Sequence, residues 1–308
     1  MFLQTAIDTI DYPEDLTVGI YVRDVVSGET AGKNANRLFQ LASTFKVPIL
    51  VAAMRQAERR HFNLDRRVTV HNQDKIAGSI LAHLDDGLAL TIRDLLTLMI
   101  IVSDNTATDI ILDEIGGYSA VEHEMRKMGL QDIYLHQSVR ELLHSIEPVD
   151  DLVLTEYDYV QYIKRTGIKP TTQAVMNPAV SNFATARVMT DLFYLIETGR
   201  TTDKELTDQM RNILLRQQYD DRIPADLPYA TRVAHKTGSI AGVRNDTGII
   251  YLPNDRPIAL TVFVEYAVIQ IDSPEQNKQD SKASALIASV AAAIYKSAVN
   301  QISNSHSW

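Results

Sequence analysis

A serine and a lysine three positions apart, Ser43 and Lys46, lie in the segment LASTFKVPIL. Side chains at this spacing share one face of a helix, so the two can meet. A serine hydroxyl becomes a useful nucleophile only when a nearby base accepts its proton, and burial lets a lysine be that base. The pair therefore allows an activated serine. Alone, the pair is weak evidence for an active site, because Ser43 could simply cap a helix.

A second motif lies in VSDNTATDI, where Ser103, Asp104 and Asn105 interrupt two helical patterns. Residues of these types are also common in ordinary loops and caps. In an active site, the Ser103 hydroxyl could relay a proton, and the Asn105 amide could hold a substrate carbonyl or amide group.

The third motif is HKTGS, at the end of a predicted strand. Lys236 offers a cation, and the hydroxyls of Thr237 and Ser239 could bind a substrate carboxylate. Gly238 lets a substrate approach the backbone closely, although a glycine here could equally mark a bulge. His235 would point to the opposite face of the strand from Lys236, so we interpret it as structural.

Together and in this order, S-x-x-K, S-D-N and K-T-G form the known signature of class A β-lactamases and penicillin-binding proteins. The chain resembles the class A serine β-lactamases over nearly its whole length. The resemblance is carried by GIYVRDVVSGET, LASTFKVPIL, NLDRRVTV, LALTIRDLLTLMIIVSDNTATDIILDEIGG and HKTGSIAGVRNDTGIIYL. It implies a two-lobed β-lactamase/transpeptidase-like fold with the site in the groove between the lobes.

The resemblance also implies a role for each motif residue. Ser43 would be the acylated nucleophile, Lys46 a candidate base, and Ser103 the relay of the proton to the leaving nitrogen. The backbone N–H groups of Ser43 and Ser239 would form the oxyanion hole, and Asn105 would contact the acyl side-chain amide. The residues expected to receive the substrate carboxylate are Lys236, Thr237, Ser239 and, after a slightly shorter turn than in the family, Arg244.

One landmark of the family is missing. Class A β-lactamases carry an omega-loop glutamate, in a Leu-Asp-Arg-Trp-Glu-Pro-Glu-Leu-Asn-like run, that activates the water cleaving the acyl-enzyme. The best counterpart here is LHQSVRELLH, in which the catalytic position falls on Val139 and the nearest acid, Glu141, comes two positions late. We include Glu141 as a catalytic candidate, against the alternative that it is only a solvated helix charge. Other acids that a rearranged loop could supply are Glu147, Asp150 and Glu156.

The residues that brace this loop differ as well. Gln137 occupies the position of the bracing arginine, Asn182 that of its aspartate partner, and Leu143 that of the loop asparagine. The segment from Gly129 to Asn182 also looks longer than the family usually has, and long loops beside a site tend to be functional.

Hydrophobic patterns place these motifs on a mixed α/β (α+β) fold. LTVGIYVRDVVSG predicts a hairpin, while RVAHKTG, NDTGIIYLP and PIALTVFVEYA predict three strands with short turns and hence an antiparallel sheet. Helices are predicted from Thr44 to about Arg60, on both sides of the S-D-N motif, over ARVMTDLFYLIETG, and from about Ser281. The predicted lobes are a sheet-containing lobe of residues 1–38 and 187–308 and an inserted helical lobe of residues 39–186.

Composition limits the partners. The net charge of −9 and the pI of about 5.4 argue against a nucleic-acid partner. The absence of cysteine excludes disulfides, zinc–thiolate sites and thiol catalysis, and the eight histidines show no paired spacing. We therefore expect neither a metal nor a cofactor, and a small-molecule substrate as the partner.

The ends of the chain bear on its location. MFLQTAIDTIDYPEDL has neither a basic nor a continuously apolar region, so it does not predict a signal peptide. We expect a cytoplasmic protein, or a periplasmic or extracellular one if a leader has been removed. ASALIASVAAAIYKSAV looks too short and too polar to span a bilayer, which predicts no membrane segment. We also expect a monomer.

The sequence leaves three functions open. The first is hydrolysis of β-lactam amide bonds through a Ser43 acyl-enzyme, as in antibiotic resistance. The second is an esterase, amidase or DD-peptidase-like activity on the same scaffold. The third is a penicillin-binding sensor that is acylated and does not turn over.

Overall fold

The computed structural model describes residues 2–146, 172–270 and 273–305, within a chain that divides into two compact units. The first unit comprises Met1–Thr44, Leu130–Ile133 and Phe183–Trp308; the second comprises Phe45–Gly129 and Tyr134–Asn182. The predicted lobe boundaries lie several residues from these divisions and stay a prediction.

The described residues form ten strands and nine α-helices. The strands are β1 Leu16–Asp24, β2 Thr30–Lys33, β3 Leu38–Gln40, β4 Arg67–Val70, β5 Leu88–Thr91, β6 Ile133–Tyr134, β7 Phe183–Thr185, β8 Val233–Ile240, β9 Val243–Tyr251 and β10 Pro257–Tyr266. The α-helices are α1 Phe2–Asp8, α2 Lys46–Glu58, α3 Ile92–Ile101, α4 Asn105–Glu114, α5 Gly117–Lys127, α6 Val139–Ile146, α7 Ala186–Glu197, α8 Lys204–Leu214 and α9 Pro274–Ser305.

A five-stranded sheet with the order β2-β1-β10-β9-β8 forms the centre of the first unit. Every neighbouring pair in it is antiparallel. The predicted hairpin at the start of the chain and the antiparallel order of the last three strands are therefore confirmed. Register places Ser239 of β8 opposite Arg244 of β9, which fixes the end of the sheet that carries the K-T-G motif.

The core of the first unit lies between this sheet and helices α1 and α9. Ile20 and Leu260 of the strands and Ile287 of α9 belong to one cluster of fully buried side chains. Burying an aliphatic side chain of this size stabilises a fold by about 1.5–3 kcal/mol. These contacts give the K-T-G strand a stiff support.

Helix α9 begins at Pro274, earlier than the predicted start near Ser281. Ser273 accepts a hydrogen bond from the N–H of Gln276 at 3.1 Å, so a serine cap followed by proline starts the helix. By length and composition alone, Pro274–Gln301 is long and apolar enough to cross a membrane, although the segment looked too short and too polar in the sequence, and 50% of its most apolar window is buried inside the protein. Packing against the sheet accounts for this apolar face. The absence of a membrane segment stays a prediction.

In the second unit, α2 is the central helix. Its first nine residues, from Lys46 to Met54, are all buried. The helix starts at Lys46, two residues later than predicted, because a 3₁₀ turn over Ala42–Phe45 precedes it. Pro48 lies in its first turn, where no intrahelical N–H is needed.

A cluster of charges joins α2 to α5 within this unit. The Glu124 carboxylate accepts hydrogen bonds from Arg55 at 2.8 Å, from Arg59 at 2.6 and 2.9 Å, and from Lys127 at 3.3 Å. Burial opposes its ionisation, but the bonds from Arg59, Arg55 and Lys127 outweigh burial and lower the pKa of Glu124 to about 2. The carboxylate is thus a structural anion.

Glu124→Gln should lower the free energy of unfolding by about 1–3 kcal/mol, because the amide cannot accept all the charged donors. Since the folded pKa is depressed to about 2, the contribution is complete above about pH 4.5 and is lost as the pH falls. Denaturant unfolding of both proteins between pH 2 and 7 should therefore converge at the acid end. The exposed Glu58→Gln on α2, the helix that supplies Arg55, should change stability by less than about 0.5 kcal/mol. A gap of constant size between wild type and Glu124→Gln at every pH would contradict the account.

Candidate active site

Ser43 is the one residue between Phe39 and Met54 that is not buried. It lies in the 3₁₀ turn Ala42–Phe45, directly before α2. A half-buried polar side chain in an otherwise fully buried run is well placed to meet a substrate. Ala42 before it has φ 43°, in the left-handed region that costs a non-glycine residue about 1–3 kcal/mol. The turn that presents Ser43 is therefore strained.

Neighbouring strands hold this strained turn. The Asn245 amide donates to the carbonyl oxygens of Gln40 at 2.7 Å and Leu41 at 3.1 Å, and it accepts from the N–H of Val264 at 3.3 Å. The Gln40 side chain accepts from the N–H of Ala42. Asn245 and Gln40 thus fix the two peptide units before the serine. Neither residue belongs to a motif that could have signalled its role.

Gly238 of β8 lies against the same turn. A Cβ atom added to it would lie 2.8 Å from the Leu41 carbonyl oxygen and 3.1 Å from the Ser43 nitrogen. Only glycine permits this approach. The first unit therefore brings the K-T-G strand and the Ser43 backbone together, as the oxyanion-hole prediction requires, although the roles of the two N–H groups stay a prediction.

The other residues of the K-T-G segment differ in exposure. Lys236 is fully buried and donates to the Thr237 carbonyl oxygen at 2.7 Å, while Thr237 is buried and Ser239 exposed. His235 is buried on its strand and lies 3.0 Å from the Asp246 carboxylate through Nδ1, which suits the structural role predicted for it.

Arg222 is a site residue that sequence reasoning missed. Its buried guanidinium donates to the carbonyl oxygens of Gly238 at 2.8 Å and Asn245 at 2.6 Å and to the Ser239 hydroxyl at 2.5 Å. Burial lowers the pKa of Arg222, although Asp221 and Asp246 oppose the shift. A lone arginine in an irregular segment has no motif that could have signalled it.

Arg244 is differently engaged. Its guanidinium pairs with Asp280 and donates to the carbonyl oxygens of Ile240 and Val243. Together with Arg222 and Ser239 it lines a cavity of about 700 Å³ in the first unit. Its predicted role in binding a substrate carboxylate stays a prediction, and Arg222 is a second guanidinium beside Ser239.

The second unit holds the lysine of the first motif. Lys46 is fully buried, and its Nζ atom donates to the Ser103 carbonyl oxygen at 2.7 Å, the Ser103 hydroxyl at 3.1 Å and Asn105 Oδ1 at 2.8 Å. Burial lowers the pKa of Lys46 to about 7, although the charges of Asp104 and Asp109 oppose the shift. A lysine that is partly neutral at physiological pH can accept a proton.

The S-D-N motif forms the predicted break between two helices. Asp104 caps α4 by accepting from the N–H groups of Ala107 at 2.8 Å and Leu81 at 3.0 Å. Ser103 has φ 57°, a left-handed conformation that directs both of its oxygen atoms to Lys46. Asn105 donates its amide to the Ala77 carbonyl oxygen at 2.8 Å while accepting from Lys46. Its contact with a substrate amide stays a prediction.

The counterpart of the omega loop begins with α6. Glu141 accepts from the N–H of Ser138 at 2.8 Å and donates its own N–H to the Ser138 hydroxyl at 3.3 Å, which forms a capping box. Asn182 contacts the Gln137 backbone through both of its amide atoms, at 2.9 and 3.0 Å, so the two predicted bracing positions do meet. The alternative bases predicted in the rearranged loop, Glu147, Asp150 and Glu156, lie outside the described residues.

Comparison with known proteins agrees with these motifs. A sequence profile described as the Beta-lactamase enzyme family matches residues 3–298. The chain belongs to the beta-lactamase enzyme family. The predicted family and enzyme class, a serine hydrolase of β-lactamase type, are thereby confirmed, as is the mixed α/β fold.

Individual relatives of this β-lactamase-family chain are distant. Beta-lactamase VEB-1 of Pseudomonas aeruginosa is 25% identical over 276 residues, covering 85% of this chain and 82% of that protein. The crystal structure of a β-lactamase from Sphaerobacter thermophilus is 27% identical with a TM-score of 0.68, covering 94% and 93% of the two chains. The structure of PBP-A has a TM-score of 0.76 at 22% identity and covers 97% and 96%, which shows a shared fold.

No group of three or more histidine, cysteine, aspartate or glutamate side chains suited to a metal ion occurs in the described ranges.

Asn245→Ala should loosen the turn before Ser43. The change removes two donors to the Gln40 and Leu41 carbonyl oxygens in a buried setting, which costs about 1–3 kcal/mol. Amide hydrogen exchange at Ala42 and Thr44 should become at least about tenfold faster, since 1.4 kcal/mol is a factor of ten. The exposed Asn212→Ala on α8 is the control, and unchanged exchange at Ala42 in Asn245→Ala would show that the amide does not hold the turn.

Proposed function

We propose that this chain opens the cyclic amide of β-lactams through an acyl-enzyme on Ser43. The observation that carries the proposal is the buried Lys46, which contacts the Ser103 hydroxyl at 3.1 Å and has a pKa lowered by burial to about 7. A lysine in this state is suited to activate a serine three positions earlier in the chain. The β-lactamases among its relatives support the choice of substrate class.

In the proposed acylation step, neutral Lys46 takes the proton of the Ser43 hydroxyl as the oxygen attacks the β-lactam carbonyl. The carbonyl oxygen becomes an oxyanion, to which the N–H groups of Ser43 and Ser239 donate. Collapse of this intermediate breaks the C–N bond. The proton then passes from Lys46 through the Ser103 hydroxyl to the leaving nitrogen, so that the ring is open and Ser43 carries the acyl ester.

In the same proposal the substrate carboxylate lies at the end of β8. The Ser239 hydroxyl, oriented by Arg222 at 2.5 Å, donates to it, and Lys236 supplies positive charge. Electrostatic attraction of this kind positions an anionic substrate before chemistry begins. An uncharged ester lacking the carboxylate would lose this contribution.

Deacylation needs a base for the attacking water. The Glu141 carboxylate is bound to the Ser138 N–H in the capping box, and Val139 has no proton acceptor. We therefore propose that acylation outpaces deacylation and that Lys46 and Ser103 resolve the ester slowly. The same observation favours a second candidate function, a penicillin-binding protein that keeps its acyl group.

Intact-protein mass should test the acyl-enzyme. After incubation with penicillin G the wild-type protein should gain the mass of one penicillin molecule, and Ser43→Ala should gain none. Because Glu141 serves the helix cap, Glu141→Gln should change the lifetime of the adduct by less than about twofold, whereas loss of a deacylating base typically costs about 10²–10⁴ in rate.

Chromogenic cephalosporin turnover and aryl-ester hydrolysis then separate the candidates. Turnover of the cephalosporin with a transient adduct identifies a β-lactamase, and a durable adduct without turnover identifies the penicillin-binding protein. Ester hydrolysis with neither a cephalosporin product nor an adduct would overturn the proposed substrate class in favour of the esterase or amidase alternative.

The acylation rate should depend on pH through Lys46. Because the base must be neutral and its pKa is lowered to about 7, the second-order rate constant should rise about tenfold per pH unit below that value and level off above it. Stopped-flow acylation between pH 5 and 9 measures the profile. A rate constant that does not change across this pH range would mean that Lys46 is not the base.

A further inference from the structure

Asp109 links the lysine network to α6. It lies on α4 one turn after Asn105, whose Oδ1 atom accepts from Lys46 at 2.8 Å. Its own carboxylate accepts from the N–H of Val139 at 2.7 Å through one oxygen and from the N–H of Arg140 at 2.9 Å through the other. One acid therefore joins the helix that carries Asn105 to the start of the segment in which the family keeps its glutamate.

The charges around Asp109 come from three helices and a loop. Asp104, in the loop before α4, is bound to two backbone N–H groups as the helix cap. On α6, the Arg140 guanidinium donates to the Gln73 and Lys75 carbonyl oxygens, and Glu141 accepts from Ser138. On α4, Asp113 interacts with Asp74, Glu114 and Glu141. On α2, Lys46 is the cation whose charge acts on Asp109.

Burial raises the pKa of Asp109, while the N–H groups of Arg140 and Val139, the Ser138 hydroxyl and the Lys46 charge oppose the shift. Bonds from α6 therefore favour the ionised form of this acid. An ionised Asp109 in turn favours the protonated form of Lys46. The Asp109 carboxylate therefore both binds the first turn of α6 and influences the protonation of Lys46.

We propose that Asp109 is a positioning residue that acts through Lys46: its carboxylate holds the first turn of α6 and favours the ammonium form of the lysine. This rests on the proposed role of Lys46 as the base of acylation. Asp109 thereby raises the pH above which Ser43 is activated. It is also the carboxylate that stands next to Val139, the position aligned with the missing glutamate.

Asp109→Asn is the central test. The amide removes the negative charge, so Lys46 should lose its proton more readily, and the midpoint of the acylation profile should fall by about 0.5–1 pH unit. Asp113→Asn is the matched control, since it removes a carboxylate one turn later on the same helix. Its midpoint should equal that of the wild type. A structural defect alone would lower the rate at every pH without moving the midpoint.

A second measurement does not depend on any substrate. In full-length protein labelled with ¹³C-lysine, the Cε signal of Lys46 is identified by its loss in Lys46→Arg, and its titration should shift to lower pH in Asp109→Asn but not in Asp113→Asn. If penicillin acylates no form of the protein, the proposed function fails, and this titration still decides the role of Asp109. An unchanged Lys46 titration in Asp109→Asn overturns the inference.

A third variant covers failure of Asp109→Asn to fold. Val139→Pro removes the N–H donated to Asp109 at 2.7 Å, at the first position of α6, where proline is tolerated. Asp109 should then ionise less readily, and Lys46 should again titrate at lower pH. Val139→Ala keeps the N–H and controls for lost packing. Equal Lys46 titrations in these two variants would contradict the link to α6.

Discussion

The burial of the Lys46 ammonium is the constraint on which the second unit depends. An ammonium removed from water is stable only where oxygen atoms replace its hydration. Three such atoms come from Ser103 and Asn105. Ser103 presents its two from a left-handed backbone that costs about 1–3 kcal/mol. That conformation is maintained because relaxing it would deprive a buried charge of two of its three acceptors.

In the first unit, polar contacts likewise hold a strained backbone position beside Ser43. The left-handed Ala42 is maintained by the Gln40 side chain, two residues before it, and by Asn245, which is far away in sequence. Arg222 extends the same support to Ser239, because it binds the Asn245 carbonyl and the Ser239 hydroxyl at once. The turn that carries Ser43 and the K-T-G strand are therefore held by one set of polar contacts.

The features that could be predicted from the sequence are those whose signals lie in a few neighbouring residues. Alternating hydrophobicity and turn residues predicted the hairpin and the last three strands, and capping residues predicted the break at Ser103. These predictions were correct. The early start of α9 was also readable, from Ser273 followed by Pro274. Arg222, Asn245 and Asp109 were not readable, because each acts through tertiary contacts and belongs to no local pattern. The lowered pKa of Lys46 could be predicted only in direction, because the size of the shift depends on how deeply the side chain is buried.

The absence of an acid at Val139 also has a physical consequence for the neighbouring charges. The Val139 N–H is bound to the Asp109 carboxylate, so a glutamate at this position would place a second carboxylate close to an acid whose pKa burial already raises. Two such groups disfavour each other's ionisation. An ionised Asp109 beside Lys46 and an ionised glutamate at 139 are therefore better regarded as alternatives than as partners. Asp109 therefore links α4 to the first turn of α6 through the Val139 and Arg140 N–H groups, at the place where a second carboxylate would be disfavoured.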